Sequence, residues 1–339
     1  MTVVGVLTAG GDCPGLNAVI RGVVSTVARE PDAEVLGILN GWEGLMEGDT
    51  IPLDRDAVRG ILGKGGTILG TSRKDPYVHG DGFASVRRTL ERNDIDALVV
   101  IGGDGTLMTA LKLSDEGLRV IGVPKTIDND IAATDFTFGF DTAVQIASDA
   151  IDRLTTTAEA HNRVILVEVM GRTKGWIATY AGISAGADAI LIPEHPLDLE
   201  EVAKIIRKRH RRGTNYSIVV VAEGVEPPER VDLPKDQFGF ERLGGVAYQI
   251  APVLEELTGF ETRVTVLGHL QRGGTPTAFD RVLASRLGVK AGRLALDGAG
   301  RVMVALRGAR IEAVDLAAAC AEIRGVDEEL FETATLFFG

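Results

Sequence analysis

The sequence predicts an α/β protein whose sheets are mainly parallel. Short apolar runs alternate with stretches of helical periodicity along most of the chain, which is the pattern of strands joined by crossover helices. The apolar runs are continuous rather than alternating with polar residues, as expected of strands covered on both faces. Glycine is abundant, at 42 of 339 residues, and without a collagen period this excess indicates many tight backbone turns.

Each predicted element rests on one of these two patterns. Strands are predicted for the apolar runs Val3–Leu7, Glu34–Leu39, Ala97–Ile101, Val120–Val123, Val164–Val169, Ala189–Ile192 and Ser217–Ala222. Helices are predicted for Asn17–Arg29, for the stretch that ends at Ser114, for Asp141–Thr157 and for Leu199–Arg212. The clearest helical spacing is that of Ala143, Ala147 and Ile151. The segment Glu226–Lys235 is rich in proline and charge, and we expect an exposed loop there.

Composition excludes several classes of protein. The formal net charge is −12, which argues against a nucleic acid or an anionic membrane as a partner held by bulk electrostatics. Two cysteines, Cys13 and Cys320, cannot form a disulfide framework, and no Cys/His cluster has zinc spacing. The first residues lack the basic region of a signal peptide, and no apolar run is long enough for a bilayer. We expect a cytoplasmic protein.

Three glycine-rich loops adjoin predicted strands or helices. They are Ala9–Gly15, Gly63–Arg73 and Gly102–Thr106. Glycine lets backbone amides point inward, and a helix N-terminus adds positive potential, so such loops suit phosphate groups. Tight structural turns are the alternative, although three such loops in one chain favour phosphate. None of the loops matches the Walker P-loop or the dinucleotide-binding pattern.

Carboxylates occur within and after these loops. Asp104 lies inside the third loop, where it would repel phosphate unless a divalent cation lay between them, so Mg²⁺ is indicated. The alternative is that Asp104 caps the following helix. Asp128 and Asp130 follow the strand Val120–Val123, where open α/β sheets bind ligands. If the backbone stays extended there, both side chains face one side, about 7 Å apart.

Basic residues stand near the ends of other apolar runs. They are Arg163, Arg172, Arg263, His269 and Arg272. The arginine fork suits phosphate oxygens, whereas a carboxylate such as Glu223 suits sugar hydroxyls. Any one of these arginines alone is more typical of a surface ion pair. As a set, they indicate a sugar-phosphate site accompanying a nucleotide site.

These segments together resemble the bacterial-type 6-phosphofructokinases from end to end of the chain. The segments that carry the resemblance are Gly10–Asn17, Gly102–Thr106, Pro124–Asp130, Val167–Arg172 and Leu267–Gly274. The resemblance implies the phosphofructokinase fold of two similar three-layer α/β lobes, usually assembled as a homotetramer. A phosphoryl-donor lobe would comprise residues 1–138 plus 252–305. A fructose 6-phosphate lobe would comprise residues 139–251 plus 306–339.

The resemblance also implies a reaction, the glycolytic transfer of a phosphoryl group to the C1 hydroxyl of fructose 6-phosphate with Mg²⁺. Asp128 would take the proton from that hydroxyl, with Thr126 and Arg172 completing the catalytic set, and Asp104 would bind Mg²⁺. The residues implied to hold the donor are Gly11, Arg73, Lys74, Gly103, Asp104, Gly105 and Thr106.

Sugar binding is implied to involve two subunits. Residues of one subunit would be Thr126, Ile127, Asp128, Met170, Gly171, Arg172, Glu223, His269, Leu270, Gln271 and Arg272. Among these, His269 and Arg272 would clamp the 6-phosphate. Arg163 and Arg263 would reach in from a neighbouring subunit.

The identity of the donor depends on two positions. ATP-using relatives generally carry glycine at both, whereas pyrophosphate-using relatives carry aspartate and lysine; this chain has Gly105 and Lys125. An aspartate at 105 would occupy the place of the α-phosphate of ATP and repel it, whereas Lys125 need not exclude ATP. We therefore expect ATP, with pyrophosphate as the alternative. Lys74 replaces an aromatic residue of some ATP-using relatives, which bears on adenine packing.

Two other functions fit parts of the sequence. Gly-Gly-Asp-Gly-Thr also occurs in NAD kinases and lipid kinases, but those enzymes do not require Thr126-Ile127-Asp128 or the pair His269 and Arg272. A non-catalytic nucleotide sensor on the same scaffold is disfavoured because no expected catalytic position is lost.

Overall fold

The computed structural model describes residues 1–78, 80–227 and 244–339. Within them the chain is an α/β protein, as predicted. Of the loop expected at Glu226–Lys235, all but the first two residues lie outside the described part. The twelve strands in that part are β1 (Thr2–Thr8), β2 (Ala33–Ile38), β3 (Thr50–Pro52), β4 (Ile95–Gly102), β5 (Val120–Thr126), β6 (Phe138–Gly139), β7 (Val164–Val169), β8 (Ala189–Leu191), β9 (Ser217–Ala222), β10 (Thr262–Val266), β11 (Val302–Arg307) and β12 (Arg310–Asp315).

Helices connect most of these strands. Those in the described ranges are α1 (Leu16–Val27), α2 (Trp42–Glu47), α3 (Gly82–Arg92), α4 (Asp104–Asp115), α5 (Phe140–His161), α6 (Trp176–Ser184), α7 (Leu199–Arg211), α8 (Val246–Thr258), α9 (Ala278–Leu296), α10 (Leu316–Ala319) and α11 (Glu328–Thr335). A 3₁₀ turn covers Gly268–Arg272. None of the helices in these ranges combines the length and apolar character needed to cross a bilayer.

The chain forms two compact units. Unit 1 comprises Met1–Thr142 and Arg272–Ile323, and unit 2 comprises Ala143–Gln271 and Arg324–Gly339. These units differ from the expected lobes in the placement of residues 139–142, 252–271 and 306–323. Residues 252–271 belong to unit 2, because β10 pairs with β7 in the sheet of that unit. Residues 306–323 belong to unit 1, because β12 pairs with β11.

Unit 1 is built on an eight-stranded sheet in the order β12-β11-β5-β4-β1-β2-β3, with β6 added beside β5. The pairings are parallel except at the two edges, β2–β3 and β11–β12. The edge strands are three and six residues long. Short antiparallel edge strands such as β3 and β12 give little periodic pattern of apolar residues, and the sequence therefore did not predict them.

Buried apolar residues cover this sheet. One cluster joins Leu7 and Leu98 of the central strands to Leu45 of α2, Leu90 of α3 and Leu107 of α4. Helices α1 and α9 pack closely on each other at glycines. A Cβ atom on Gly288 would lie 2.3 Å from the carbonyl oxygen of Val19, and one on Gly22 would lie 2.8 Å from that of Ser285. Any larger residue at these two positions would force the helices apart.

Unit 2 is built on a four-stranded parallel sheet in the order β10-β7-β9-β8. Every residue of β7 and β9 is buried, as their continuous apolar sequences predicted. The apolar sequence of β7 is interrupted by one charged residue, Glu168, whose side chain is nevertheless buried, at 1% exposed. Its carboxylate accepts hydrogen bonds from the backbone N–H groups of Gly245 (2.6 Å) and Ala247 (2.9 Å), and thereby caps the first turn of α8.

Candidate functional site

The predicted phosphate loops meet at the end of the unit 1 sheet where its central parallel strands finish. Strands β1, β4 and β5 are parallel neighbours, with Thr8 opposite Ile101 and Gly102 opposite Pro124. The loops that follow these strands therefore begin at the same end of the sheet. The segment Thr71–Arg73 joins them, because Gly10 N donates to the Ser72 carbonyl (3.0 Å) and Thr71 Oγ1 donates to the Gly10 carbonyl (2.7 Å).

Glycines leave open space in this group of loops, as at Gly66 and Gly105. A Cβ atom on Gly105, in the first turn of α4, would meet no atom within 4 Å, and one on Gly103 would meet only the Lys125 carbonyl oxygen, at 3.4 Å. Gly11 is different, since a Cβ there would lie 2.8 Å from the guanidinium of Arg272. The position next to Gly105 is therefore open to a side chain or to a ligand group.

Two cations converge on the first of these loops. Lys125 is only 4% exposed, and its ammonium donates to the Gly11 carbonyl. Arg272 donates from Nη1 to the Asp12 carbonyl (3.2 Å). Burial lowers the pKa of Lys125, and the charge of Arg272 acts in the same direction. Both residues place positive charge where backbone amides and glycines would receive an anion.

Carboxylates lie at the end of β5. Asp128 and Asp130 are each 9% exposed. The expected extended backbone between them is wrong, because Asn129 adopts φ +50°. The Asn129 carbonyl oxygen of the side chain accepts from Thr137 N (3.0 Å) and thus secures this turn. Asp128 N in turn donates to Thr126 Oγ1 (3.0 Å), so the hydroxyl of Thr126 orients the Asp128 backbone.

Negative charge accumulates around Asp130. Burial, followed by the charges of Asp128 and Asp104, raises its pKa to about 7. Like charges this close repel one another, and either a proton or a divalent cation relieves the repulsion. The burial of Asp130 could not be read from sequence spacing.

The residues fit Mg²⁺ as a shared rather than a protein-enclosed ion. In the ranges that the structure describes, no group of three or more His, Cys, Asp or Glu side chains could hold a metal. Asp104 is exposed in the first turn of α4. Mg²⁺ typically takes one or two carboxylates and completes its octahedron with water and substrate phosphates. An accessible carboxylate beside space for phosphate meets that requirement.

Two predicted donor residues are held by other contacts. Lys74 forms an ion pair with Glu43, whose hydrogen bond raises the pKa of the Lys74 ammonium. The Thr106 side chain is buried against the loop, and a Cβ on Gly102 would lie 2.3 Å from its Cβ. Of these three side chains, that of Arg73 is the most exposed to solvent.

Four of the predicted sugar ligands lie at the carboxyl ends of β7 and β9 in unit 2. They are Met170, Gly171, Arg172 and Glu223. Glu223 N donates to the Val169 carbonyl (2.9 Å), which keeps the two strand ends together. Gly171 has φ +137°, and a Cβ there would lie 2.6 Å from the Lys174 carbonyl oxygen. The tight turn after Met170 therefore requires glycine.

The two remaining arginines, Arg163 and Arg263, lie at the amino ends of the strands of this sheet. Arg163 immediately precedes β7, and Arg263 is the second residue of β10. Glu261 contacts both, at 2.7 Å from Arg163 Nε and in a hydrogen bond with Arg263. These arginines do not meet Met170–Arg172 within unit 2. Sequence reasoning missed Glu261, because only the pairing of β7 with β10 brings residue 261 to residue 163.

The 3₁₀ turn Gly268–Arg272 carries four further predicted ligands. His269 and Leu270 are exposed, whereas Gln271 is fully buried. Gln271 accepts a hydrogen bond from Met170 N at 2.8 Å. The division between the units falls immediately after this residue, so His269 belongs to unit 2 and Arg272 to unit 1.

The pKa of Asp130 yields a prediction for stability. An acid whose pKa is higher in the folded than in the unfolded protein binds more protons when folded. The folded state therefore loses stability as pH rises from near 3.8 to about 7. Asp130→Asn removes this loss, so we expect its melting temperature, without ligands or Mg²⁺, to exceed that of the unsubstituted protein at pH 8 and the difference to shrink towards pH 5.

Calorimetric melting at both pH values checks this prediction. Asp54→Asn is the matched control, since Asp54 is exposed and an asparagine can still accept from Ala57 N. A difference that is equal at pH 5 and pH 8 would contradict the assigned origin of the effect.

Comparison with known proteins identifies the family. A model of the family described as "Phosphofructokinase" matches residues 3–295. The pyrophosphate–fructose 6-phosphate 1-phosphotransferase of Amycolatopsis methanolica is 52% identical over 99% of both chains. The ATP-dependent 6-phosphofructokinase of Corynebacterium efficiens is 51% identical over 98% of both. The alignment with a solved structure of Pichia pastoris phosphofructokinase covers 94% of this chain and 35% of the Pichia chain, with 33% identity and a TM-score of 0.84. The chain belongs to the phosphofructokinase family of phosphotransferases.

Proposed function

We propose that the protein is an ATP-dependent 6-phosphofructokinase. It transfers the γ-phosphoryl group of Mg-ATP to the C1 hydroxyl of fructose 6-phosphate and produces ADP and fructose 1,6-bisphosphate. The observation that carries this proposal is the space at Gly105, next to Asp104 and at the same sheet edge as Lys125 and Asp128. We place the reaction in glycolysis and in the cytoplasm, with no nucleic acid or membrane as a partner.

Overall identity does not decide between the two donors. Relatives named for pyrophosphate and for ATP match this chain at 52% and 51%. The local space at Gly105 favours ATP, because a nucleotide needs room for its α-phosphate that pyrophosphate does not. Lys125 supports either donor, since its ammonium lies on the Gly11 carbonyl and can neutralise charge on a leaving phosphate. Pyrophosphate remains the alternative donor.

Asp128 is proposed as the general base. Its carboxylate takes the proton of the C1 hydroxyl while that oxygen attacks the γ-phosphorus, and the bond to the bridging oxygen of ADP breaks. Phosphoryl transfer demands positioning and charge neutralisation more than covalent help from the protein. Thr126 fixes the Asp128 backbone. Arg172 supplies charge to the transferred group. Mg²⁺ held by Asp104 would neutralise the donor phosphates.

The sugar is proposed to bind through residues of two subunits. Ile127, Met170, Gly171, Glu223 and the segment His269–Arg272 serve one subunit. Arg163 and Arg263 serve the sugar of a neighbouring subunit. Their position supports this, because they lie at the amino ends of β7 and β10, whereas Met170–Arg172 follows the carboxyl end of β7. We therefore propose a homo-oligomer, as a tetramer. Gly11, Arg73, Lys74, Gly103 and Thr106 complete the donor site.

Filling the space at Gly105 tests the donor. We expect Gly105→Asp to raise the KM for ATP by at least about tenfold through volume and charge. Gly105→Ala should have little effect because nothing lies within 4 Å of its Cβ, and Gly105→Asn adds the volume without the charge. Coupled assays with ATP and with pyrophosphate measure the outcome. An unchanged KM for ATP in Gly105→Asp would remove the basis for ATP as the donor.

Removing the proposed base tests the chemistry. Asp128→Asn should lower kcat by about 10²–10⁴-fold, the usual contribution of general-base catalysis. The KM for fructose 6-phosphate should change little, since the amide keeps the size and hydrogen-bonding capacity of the carboxylate. Steady-state kinetics of this variant are compared with those of the surface variant Asp54→Asn. A kcat within about threefold of that of the unsubstituted enzyme would show that Asp128 is not the base, because loss of a general base lowers kcat at least about 10²-fold.

Mixed oligomers test whether sites are shared. Arg263→Ala alone should raise the KM for fructose 6-phosphate, and Asp128→Asn alone should lower kcat by about 10²–10⁴-fold. Rates are therefore compared at a fructose 6-phosphate concentration well below the raised KM. When the two chains are produced together, the sites that combine Asp128 of one chain with Arg263 of the other are intact, so activity should recover to about a quarter of the unsubstituted level. If both residues serve the same chain, intact sites do not form and recovery is absent.

A further inference from the structure

Gln271 differs from its neighbours in the 3₁₀ turn Gly268–Arg272. The exposed fraction of Leu270 is 69%, whereas that of Gln271 is 0%. The Gln271 Oε1 atom accepts from the backbone N–H of Met170 at 2.8 Å. The acceptor atom of this side chain is thus occupied by the protein and turned away from solvent. Sugar binding by Gln271, which the family resemblance implied, therefore cannot use Oε1 while this hydrogen bond is formed.

The hydrogen bond continues the pairing of two strands beyond their ends. Strand β10 runs parallel to β7, with Val266 opposite Glu168. Leu267 N then donates to the Glu168 carbonyl at 3.0 Å. After this point the backbones have no further ladder contact in the described chain, and Gln271 reaches back to the first residue after β7. The side chain therefore supplies one more link between the segments.

This link fixes the start of the loop Met170–Arg172. Past Met170, the loop is closed by Gly171, whose carbonyl accepts from Lys174 N at 2.9 Å. A Cβ on Gly224 would lie 2.4 Å from the Arg172 carbonyl oxygen. The far end of the loop is therefore packed closely, and its near end depends on the amide of Gln271. The same turn that carries His269 thus sets the position of Met170.

We propose that Gln271 is a positioning residue that aligns the loop Met170–Arg172 with the turn Gly268–Arg272 for sugar-phosphate binding. This inference rests on the proposed function, because it takes both segments as parts of the fructose 6-phosphate site. Gln271 acts through the Met170 backbone. Its Nε2 atom is also buried, without a hydrogen-bond partner in the described residues, so the experiment must separate a role of Oε1 from a role of Nε2.

Two substitutions make that separation. Gln271→Met keeps the length of the side chain and removes both polar atoms. Gln271→Glu keeps an oxygen that can accept from Met170 N and replaces the Nε2 amide with a second carboxyl oxygen. Gln145→Met is the matched control, because Gln145 lies on α5 and its exposed side chain bonds only to Asp149 in the contacts described.

The first readout is amide exchange at Met170, which is independent of catalysis. Hydrogen exchange followed by fragmentation should show faster exchange of the Met170 amide in Gln271→Met, but not in Gln271→Glu or Gln145→Met. The second readout is kinetic. Gln271→Met should raise the KM for fructose 6-phosphate about tenfold and leave the KM for the donor unchanged, whereas Gln271→Glu should stay within about threefold at pH 6.

Each other result overturns the inference. An unchanged KM in Gln271→Met, or unchanged exchange at Met170, shows that the hydrogen bond does not position the loop. An equal rise in KM for both Gln271 variants, with Met170 still protected in Gln271→Glu, shows that Nε2 binds the ligand directly. If the unsubstituted protein binds no fructose 6-phosphate in calorimetry, the proposed function fails, while the exchange data still report on the structural link.

Discussion

The burial of charge at the end of β5 is the constraint on which the site depends. Lys125, Asp128 and Asp130 are buried within six residues of one another, in a protein where each isolated buried charge would cost several kcal/mol. The charge of Asp128 stabilises the Lys125 ammonium, whereas Arg272 repels that ammonium, and Asp128 and Asp104 repel the Asp130 carboxylate. Central position in the sheet holds them there, since β5 is flanked by β4, β11 and β6.

The same arrangement explains why the empty volume at Gly105 matters. The surrounding charges attract any phosphate compound, so they cannot by themselves distinguish ATP from pyrophosphate. Under the proposed function, selectivity would come from shape, and Gly105 is a position where a side chain could compete with a ligand without displacing any protein atom. In that proposal, Lys125 serves the phosphate chemistry that both donors share, and Gly105 leaves room for the larger donor.

Patterns in the sequence predicted the parts of the molecule that depend on local physics. Strands β1, β4, β7 and β9 were located to within two residues, because burial on both faces produces continuous apolar runs. The turn at Asn129 was not predicted, since it depends on a hydrogen bond from Thr137, eight residues away. Glu261 and the hydrogen bond of Gln271 to Met170 depend on strand pairing across 98 and 101 residues. One sequence alone does not show such register.

The most direct test of the account is a crystal structure of the protein with Mg²⁺, a non-hydrolysable ATP analogue and fructose 6-phosphate. The account predicts the α-phosphate over Gly105, Mg²⁺ on Asp104 and the Asp128 carboxylate within hydrogen-bonding distance of the C1 hydroxyl. An Asp128 side chain turned away from that hydroxyl, or a nucleotide bound elsewhere with the space at Gly105 filled by water, would contradict it.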